Sequence, residues 1–126
     1  MEKSKILGLR TASYKVGDLK KAKEWYTKAF GIEPYFDEPF YVGFNICGYE
    51  LGLMPEEVPT TEKTESTVAY WGIEDVQETY QHFISLGATM DQEPTNVGGE
   101  TEIASVRDPW SNIIGLIYNP EFELPK

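Results

Sequence analysis

The feature that most constrains this chain is a local design that occurs twice. Asp18 is followed by Ala22, Trp25, Tyr26, Ala29 and Phe30, and then by Gly31. Those apolar residues fall at i, i+3, i+4, i+7 and i+8, one stripe of a helix. An aspartate before the stripe can accept from the unpaired amides of the first turn, and a glycine after it suits a left-handed helix end. The design returns with Asp75 as cap, Glu78 three residues on, Val76, Tyr80, Phe83 and Leu86 as the stripe, and Gly87 as the stop. Asp18 to Asp75 is a shift of 57 and Gly31 to Gly87 a shift of 56. The chain therefore reads as two copies of one unit.

Strand patterns surround each helix. In the first copy, Ile6–Val16 precedes the helix, and Ile32–Phe36 follows it, with Asp37-Glu38-Pro39 as a turn. Phe40–Cys47 is aromatic and β-branched, and Glu50–Met54 closes the copy after a tight Gly48-Tyr49 connection. Residues 55–65 carry two prolines and several glutamates and read as an exposed linker. In the second copy Ser66–Ile73, Ala88–Gln92, Glu100–Arg107 and Ile113–Tyr118 are strands. Asn96-Val97-Gly98-Gly99 is a hairpin turn, and Asp108–Asn112 is a second turn. Gly52 matches Gly115 at a shift of 63, the longer spacing falling in that hairpin. The expected fold is α+β in one domain over residues 1–126. Repeat one covers about 6–54 and repeat two about 66–118, each a βαβββ unit.

At 126 residues, with 40% hydrophobic and 13% aromatic residues, the chain can build a core. Its net charge of −10 argues against nucleic acid and anionic membrane surfaces. It suits a cationic ligand, or simple solubility. The one cysteine, Cys47, sits in an apolar strand pattern and reads as a buried, inert thiol in a reducing compartment. The one histidine, His82, falls on a helix and is not placed to serve as its base. No apolar signal core or membrane-length run occurs, so a cytoplasmic protein is expected.

The stretches Tyr14–Ala22 with Trp25-Tyr26 and Phe30-Gly31, and Val106–Ile114, resemble the vicinal oxygen chelate superfamily: glyoxalase I, bleomycin-resistance proteins and extradiol dioxygenases. The second stretch is similar to the "DPDGN" turn before the family's closing strand. The resemblance implies two βαβββ units whose sheets curl into a cup with helices on the convex side, commonly as a homodimer. It also implies a divalent metal held by carboxylates and imidazoles on the first and last strands of each unit. Those positions hold Thr11 and Val68, seven residues before each cap, and Gly52 and Gly115. None is a usual ligand. Glu50 shares a strand face with Gly52, and Glu100 and Glu102 lie on a neighbouring strand, but carboxylates without histidine make a poor transition-metal site.

The expected function is accordingly a small-molecule binding protein with no cofactor, of the kind that sequesters a cationic drug. Thr11, Ser13, Glu50, Gly52, Met54, Val68, Tyr70, Gly115 and Ile117 are the candidate ligand-binding residues, the two glycines leaving room. The alternative is a metal-dependent glyoxalase-like lyase or isomerase, or an extradiol-type dioxygenase.

Overall fold

The computed structural model describes residues 5, 9–58, 60, 62–63 and 67–122. The chain divides into two units, Met1–Glu57 and Val58–Lys126. Each is a four-stranded mixed sheet with one helix, an α+β arrangement in which βαβββ occurs twice.

Unit one runs β1 (Thr11–Val16), α1 (Leu19–Phe30), β2 (Phe36–Glu38), β3 (Tyr41–Ile46) and β4 (Tyr49–Pro55), with sheet order β1-β4-β3-β2. α1 starts where Asp18 Oδ1 accepts from the Lys21 amide at 3.0 Å. It stops at Gly31, whose φ of 68° lets its own amide reach the Thr27 carbonyl at 2.9 Å. Tyr14, Val16, Val42, Phe44, Leu51 and Leu53 supply the sheet side of the core, and Ala22, Tyr26 and Ala29 the helix side. Tyr26 stacks on Tyr14 with ring centroids 5.9 Å apart. Burying each of the larger apolar side chains stabilises the fold by about 1.5–3 kcal/mol.

Unit two runs β5 (Tyr70–Gly72), α2 (Val76–Ser85), β6 (Thr89–Gly98), β7 (Thr101–Arg107) and β8 (Ile113–Tyr118), with sheet order β5-β8-β7-β6. Asp75 caps α2 by accepting from the Glu78 amide at 3.0 Å. Val76, Tyr80 and Phe83 bury against a sheet face carrying Ala104, Val106, Ile114 and Leu116. The turn into β8 is built on Asp108, which is only 3% exposed. Its Oδ1 accepts from the amides of Trp110 and Asn112, both at 2.8 Å, and its Oδ2 from the Asn112 side-chain amide at 3.0 Å. Ser111 stands in this turn at φ 70°, a backbone state that favours glycine.

Several local readings change. The strand expected at Ile32–Phe36 is β2 instead, starting where that reading ended, and the turn moves to Pro39-Phe40. The reason is pairing: the Tyr35 amide and then Phe36 engage Gly43, and Pro39 has no amide to extend the ladder. β6 is ten residues rather than five, because register shifts between Met90 and Gly98 let the strand continue past Pro94. Its hairpin turn is consequently Gly99-Glu100, with Gly98 paired to Thr101. Cys47 is exposed, not buried. Ile46 pairs with Tyr49, so Cys47 (φ 52°) and Gly48 (φ 94°) form a two-residue turn with positive φ at both centres. The first strands are shorter than expected: β1 starts at Thr11, after Leu9 and Arg10, and β5 covers only Tyr70–Gly72 of Ser66–Ile73, because pairing begins at Thr11↔Glu50 and spans only Gly115–Ile117 on β8. Ile6–Gly8 and Ser66 lie outside the described residues.

Candidate functional site

Alternation along β4 decides which residues can form a site. Leu51 and Leu53 are fully buried on the helix-bearing face, so Glu50, Gly52 and Met54 take the opposite face. β1 runs parallel beside β4 with Thr11 opposite Glu50 and Ser13 opposite Gly52. Five of the candidate residues, Thr11, Ser13, Glu50, Gly52 and Met54, thus share the face away from α1.

Glu50 is the centre of this face. Thr11 Oγ1 donates to its Oε1 at 2.7 Å, and the Tyr35 hydroxyl donates to its Oε2. The Tyr41 phenol also acts on this carboxylate, helping to hold it ionised. The two tyrosines are held by a pair of cross-strand glycines, Gly43 opposite Gly52. A Cβ on Gly43 would lie 2.9 Å from Tyr35 Cε1, and one on Gly52 would lie 2.7 Å from Tyr41 Cζ. The rings therefore fill the room that the glycines provide.

The hydroxyls fix the charge state. The Tyr35 hydrogen bond holds the Glu50 carboxyl below its usual value; partial burial opposes this, and Thr11 and Tyr41 reinforce it. Partial burial, followed by the hydrogen bond to Glu50, pushes the Tyr41 phenol up to about 12. The same carboxylate raises the Tyr35 phenol. Near neutrality the group is one carboxylate ringed by neutral hydroxyls. No member is poised for proton transfer near pH 7, where a general acid or base works best. Chemically the arrangement is a fixed negative charge.

Aromatic rings flank that charge. Phe36 has its ring centroid 6.4 Å from Tyr35 and 6.1 Å from both Phe40 and Tyr41, with interplanar angles of 51°, 65° and 57°. Tyr35, Phe36 and Phe40 are 62%, 37% and 66% exposed. The sequence pointed to Glu50 but not to Tyr35, Phe36 or Tyr41. The available signal was Tyr41-Val42-Gly43 opposite Gly52: a strand glycine facing a strand glycine leaves a trough that a nearby large side chain must cover.

In unit two, Tyr70 pairs with Gly115 and Gly72 with Ile117. Tyr70, Gly115 and Ile117 lie away from the buried Ile114 and Leu116 face. The Tyr70 ring covers Gly115 as Tyr41 covers Gly52: a Cβ there would be 2.6 Å from Tyr70 Cδ1 and 2.8 Å from the Ala69 carbonyl oxygen. Val68 is half-buried just before β5. The same face holds Ser105, opposite Gly115, whose hydroxyl donates to Asp91 Oδ2 at 2.6 Å. Arg107 approaches Asp91 at 3.8 Å. Sequence reading missed this polar group, because register shifts in β6 decide which face Asp91 takes.

The donor set does not fit a divalent transition metal. Among the described residues, no three His, Cys, Asp or Glu side chains are grouped to hold one. The Thr11 hydroxyl and both Glu50 oxygens are engaged with each other and with tyrosine. Gly52 and Gly115 offer no donor, and Val68 offers hydrocarbon. Glu102 stands two residues before Ala104 and so shares the helix-bearing side of its strand, while Glu100 lies in the turn before it. His82 is exposed on α2 beside Phe83.

The family model described as Glyoxalase/Bleomycin resistance protein/Dioxygenase superfamily matches residues 8–116. Among solved structures, the chain is similar to a glyoxalase-related enzyme from Fulvimarina pelagi, with 16% identity, TM-score 0.79, and 95% of this chain and 94% of that one covered. It is also similar to the fosfomycin resistance protein FosX from Listeria monocytogenes, with 23% identity, TM-score 0.75, and 92% and 96% covered. A glyoxalase/bleomycin resistance protein from Albidiferax ferrireducens T118 gives 20% identity, TM-score 0.73, and 88% and 98% covered. At these identities the likeness is one of fold. No curated protein matches the sequence.

Proposed function

The chain belongs to the glyoxalase/bleomycin resistance protein/dioxygenase superfamily, and we propose that within it this protein is a metal-free binder of small organic cations. The observation that carries this reading is the Glu50 carboxylate, fixed by the hydroxyls of Thr11 and Tyr35 and flanked by exposed aromatic rings on one sheet face. A carboxylate supplies attraction for a positive charge, and ring faces add cation–π contact and apolar area. The net charge of −10 favours the approach of a cation over a wide distance at low salt. Glycines and hydrocarbon at the family's ligand positions support binding without a metal. Two of the structural neighbours named above carry resistance in their names, and sequestration of a toxic small molecule is the setting we propose here.

The test is metal content of untagged protein, followed by titration with nickel, zinc and ferrous ions and a thermal-shift screen of cationic drugs. The expected result is no stoichiometric metal, no stabilisation by the ions, and stabilisation by a subset of cations that Glu50→Gln removes. Stoichiometric metal that disappears in Glu50→Gln would overturn the reading in favour of a metal-dependent enzyme.

A further inference from the structure

We infer that the cation this site takes is fully alkylated, a quaternary ammonium or its sulfonium equivalent; the inference rests on the reading of the site as a cation binder. An ionised carboxylate offers about four lone-pair sites. At Glu50 the hydroxyls of Thr11 and Tyr35 already donate, one to each oxygen, and the Tyr41 phenol acts on the same carboxylate. A primary ammonium or guanidinium arrives with several N–H donors, each of which loses a water on entry and needs a replacement acceptor. At Glu50 those donors must share what remains or displace a hydroxyl, leaving that hydroxyl to find another partner. A quaternary ammonium has no donors. It keeps its attraction to the carboxylate and leaves the hydroxyl ring intact.

The rings supply what such a cation needs instead. Phe36 stands 6.1–6.4 Å from three neighbouring rings, with planes tilted by 51–65°. Tilted rings at this spacing form walls rather than a closed stack. A methylated nitrogen resting against an exposed ring face lies within roughly 6 Å of its centroid, the range of cation–π attraction. The high exposure of Tyr35 and Phe40 leaves those walls open to an entering ligand.

Three probes built on the same hydroxyethyl group separate the contributions: choline, ethanolamine and 3,3-dimethyl-1-butanol, titrated into the full chain and followed by NMR shift changes. Choline carries alkylated charge, ethanolamine carries charge with N–H donors, and the alcohol is choline's uncharged isostere. The expected result is choline binding about tenfold or more tighter than either of the others. Ethanolamine binding as well as choline, with the alcohol weaker, would overturn the alkylation inference and leave cation binding standing. The alcohol binding as well as choline would overturn both. Absence of choline binding at tens of millimolar would overturn the inference. Phe40→Leu, at an exposed position that leaves the fold intact, is expected to weaken choline about two- to fivefold without moving the melting temperature. Glu50→Gln is expected to abolish the preference for choline over the alcohol. An unchanged choline affinity in Phe40→Leu would remove the aromatic wall from the explanation.

Discussion

Replacing Gly115 by alanine tests the packing of unit two at its tightest point. The new Cβ would lie 2.8 Å from the Ala69 carbonyl oxygen and 2.6 Å from Tyr70 Cδ1, where ordinary contact begins at 3.4 Å. The tyrosine ring can turn, but the carbonyl cannot move alone. It accepts from the Gly115 amide at 2.9 Å as part of the link between β5 and β8. Relief therefore requires the two strands to part by about 0.6 Å, or β5 to detach. Overpacking of this kind costs about 1–3 kcal/mol, and involvement of backbone puts this case near the upper end. For a chain of this length each kcal/mol lowers the melting temperature by roughly 4 °C, so a loss of roughly 8–12 °C is expected. Gly52→Ala meets only the tip of the Tyr41 ring, so its expected cost is about 1 kcal/mol or less, with the damage falling on the Glu50 cluster. Gly72→Ala meets nothing within 4 Å at a strand position without positive φ. It should stabilise by about 0.5 kcal/mol through the reduced freedom of the unfolded chain. Urea unfolding followed by tryptophan fluorescence ranks the three. Gly115→Ala as stable as Gly72→Ala would refute the claim that backbone contact, rather than the absence of a side chain as such, explains the glycine.

Asp108→Ala leaves the Trp110 and Asn112 amides without their acceptor in a buried turn and should cost about 2–4 kcal/mol by urea denaturation. Ser111→Gly removes a non-glycine residue from positive φ and should raise stability by about 0.5–1 kcal/mol; a loss would show that the Ser111 side chain matters more than its backbone. The Glu50 carboxyl is depressed in the folded state, so its stabilising contribution is complete above the ordinary value of 4.5 and is lost as pH falls below it. Glu50→Gln should flatten that acid limb in pH-dependent unfolding. Tyr41 has the opposite sign: its contribution is complete below pH 10 and is lost as pH rises toward about 12. Tyrosinate absorbance should show a phenol titrating at about 12 that Tyr41→Phe removes.

What was legible in the sequence was whatever a single segment encodes. Asp18 and Asp75 cap the helices that their spacing to the apolar stripes announces, and Gly31 ends α1 with positive φ. Ile113–Tyr118 is a strand with the predicted bounds. What was not legible depends on two segments at once. β2 is displaced because its partner is Gly43, a fact of pairing rather than of propensity. Cys47 leaves the strand because a two-residue hairpin fixes its backbone. Tyr35 and Tyr41 reach Glu50 across neighbouring strands, and alternation names the face of a residue without naming what leans over it.

The parallel link between β1 and β4 also has a kinetic consequence. The β3–β4 hairpin closes over two residues, whereas Thr11 and Glu50 meet across 39 positions of chain. Loop closure makes distant pairing the later event on the folding path. The Thr11–Glu50 contact therefore forms as unit one completes itself, and the anionic site does not exist before that step. A ligand that engages Glu50 would act on the native side of the barrier. It would slow unfolding far more than it speeds folding, and so prolong the life of the protein it occupies.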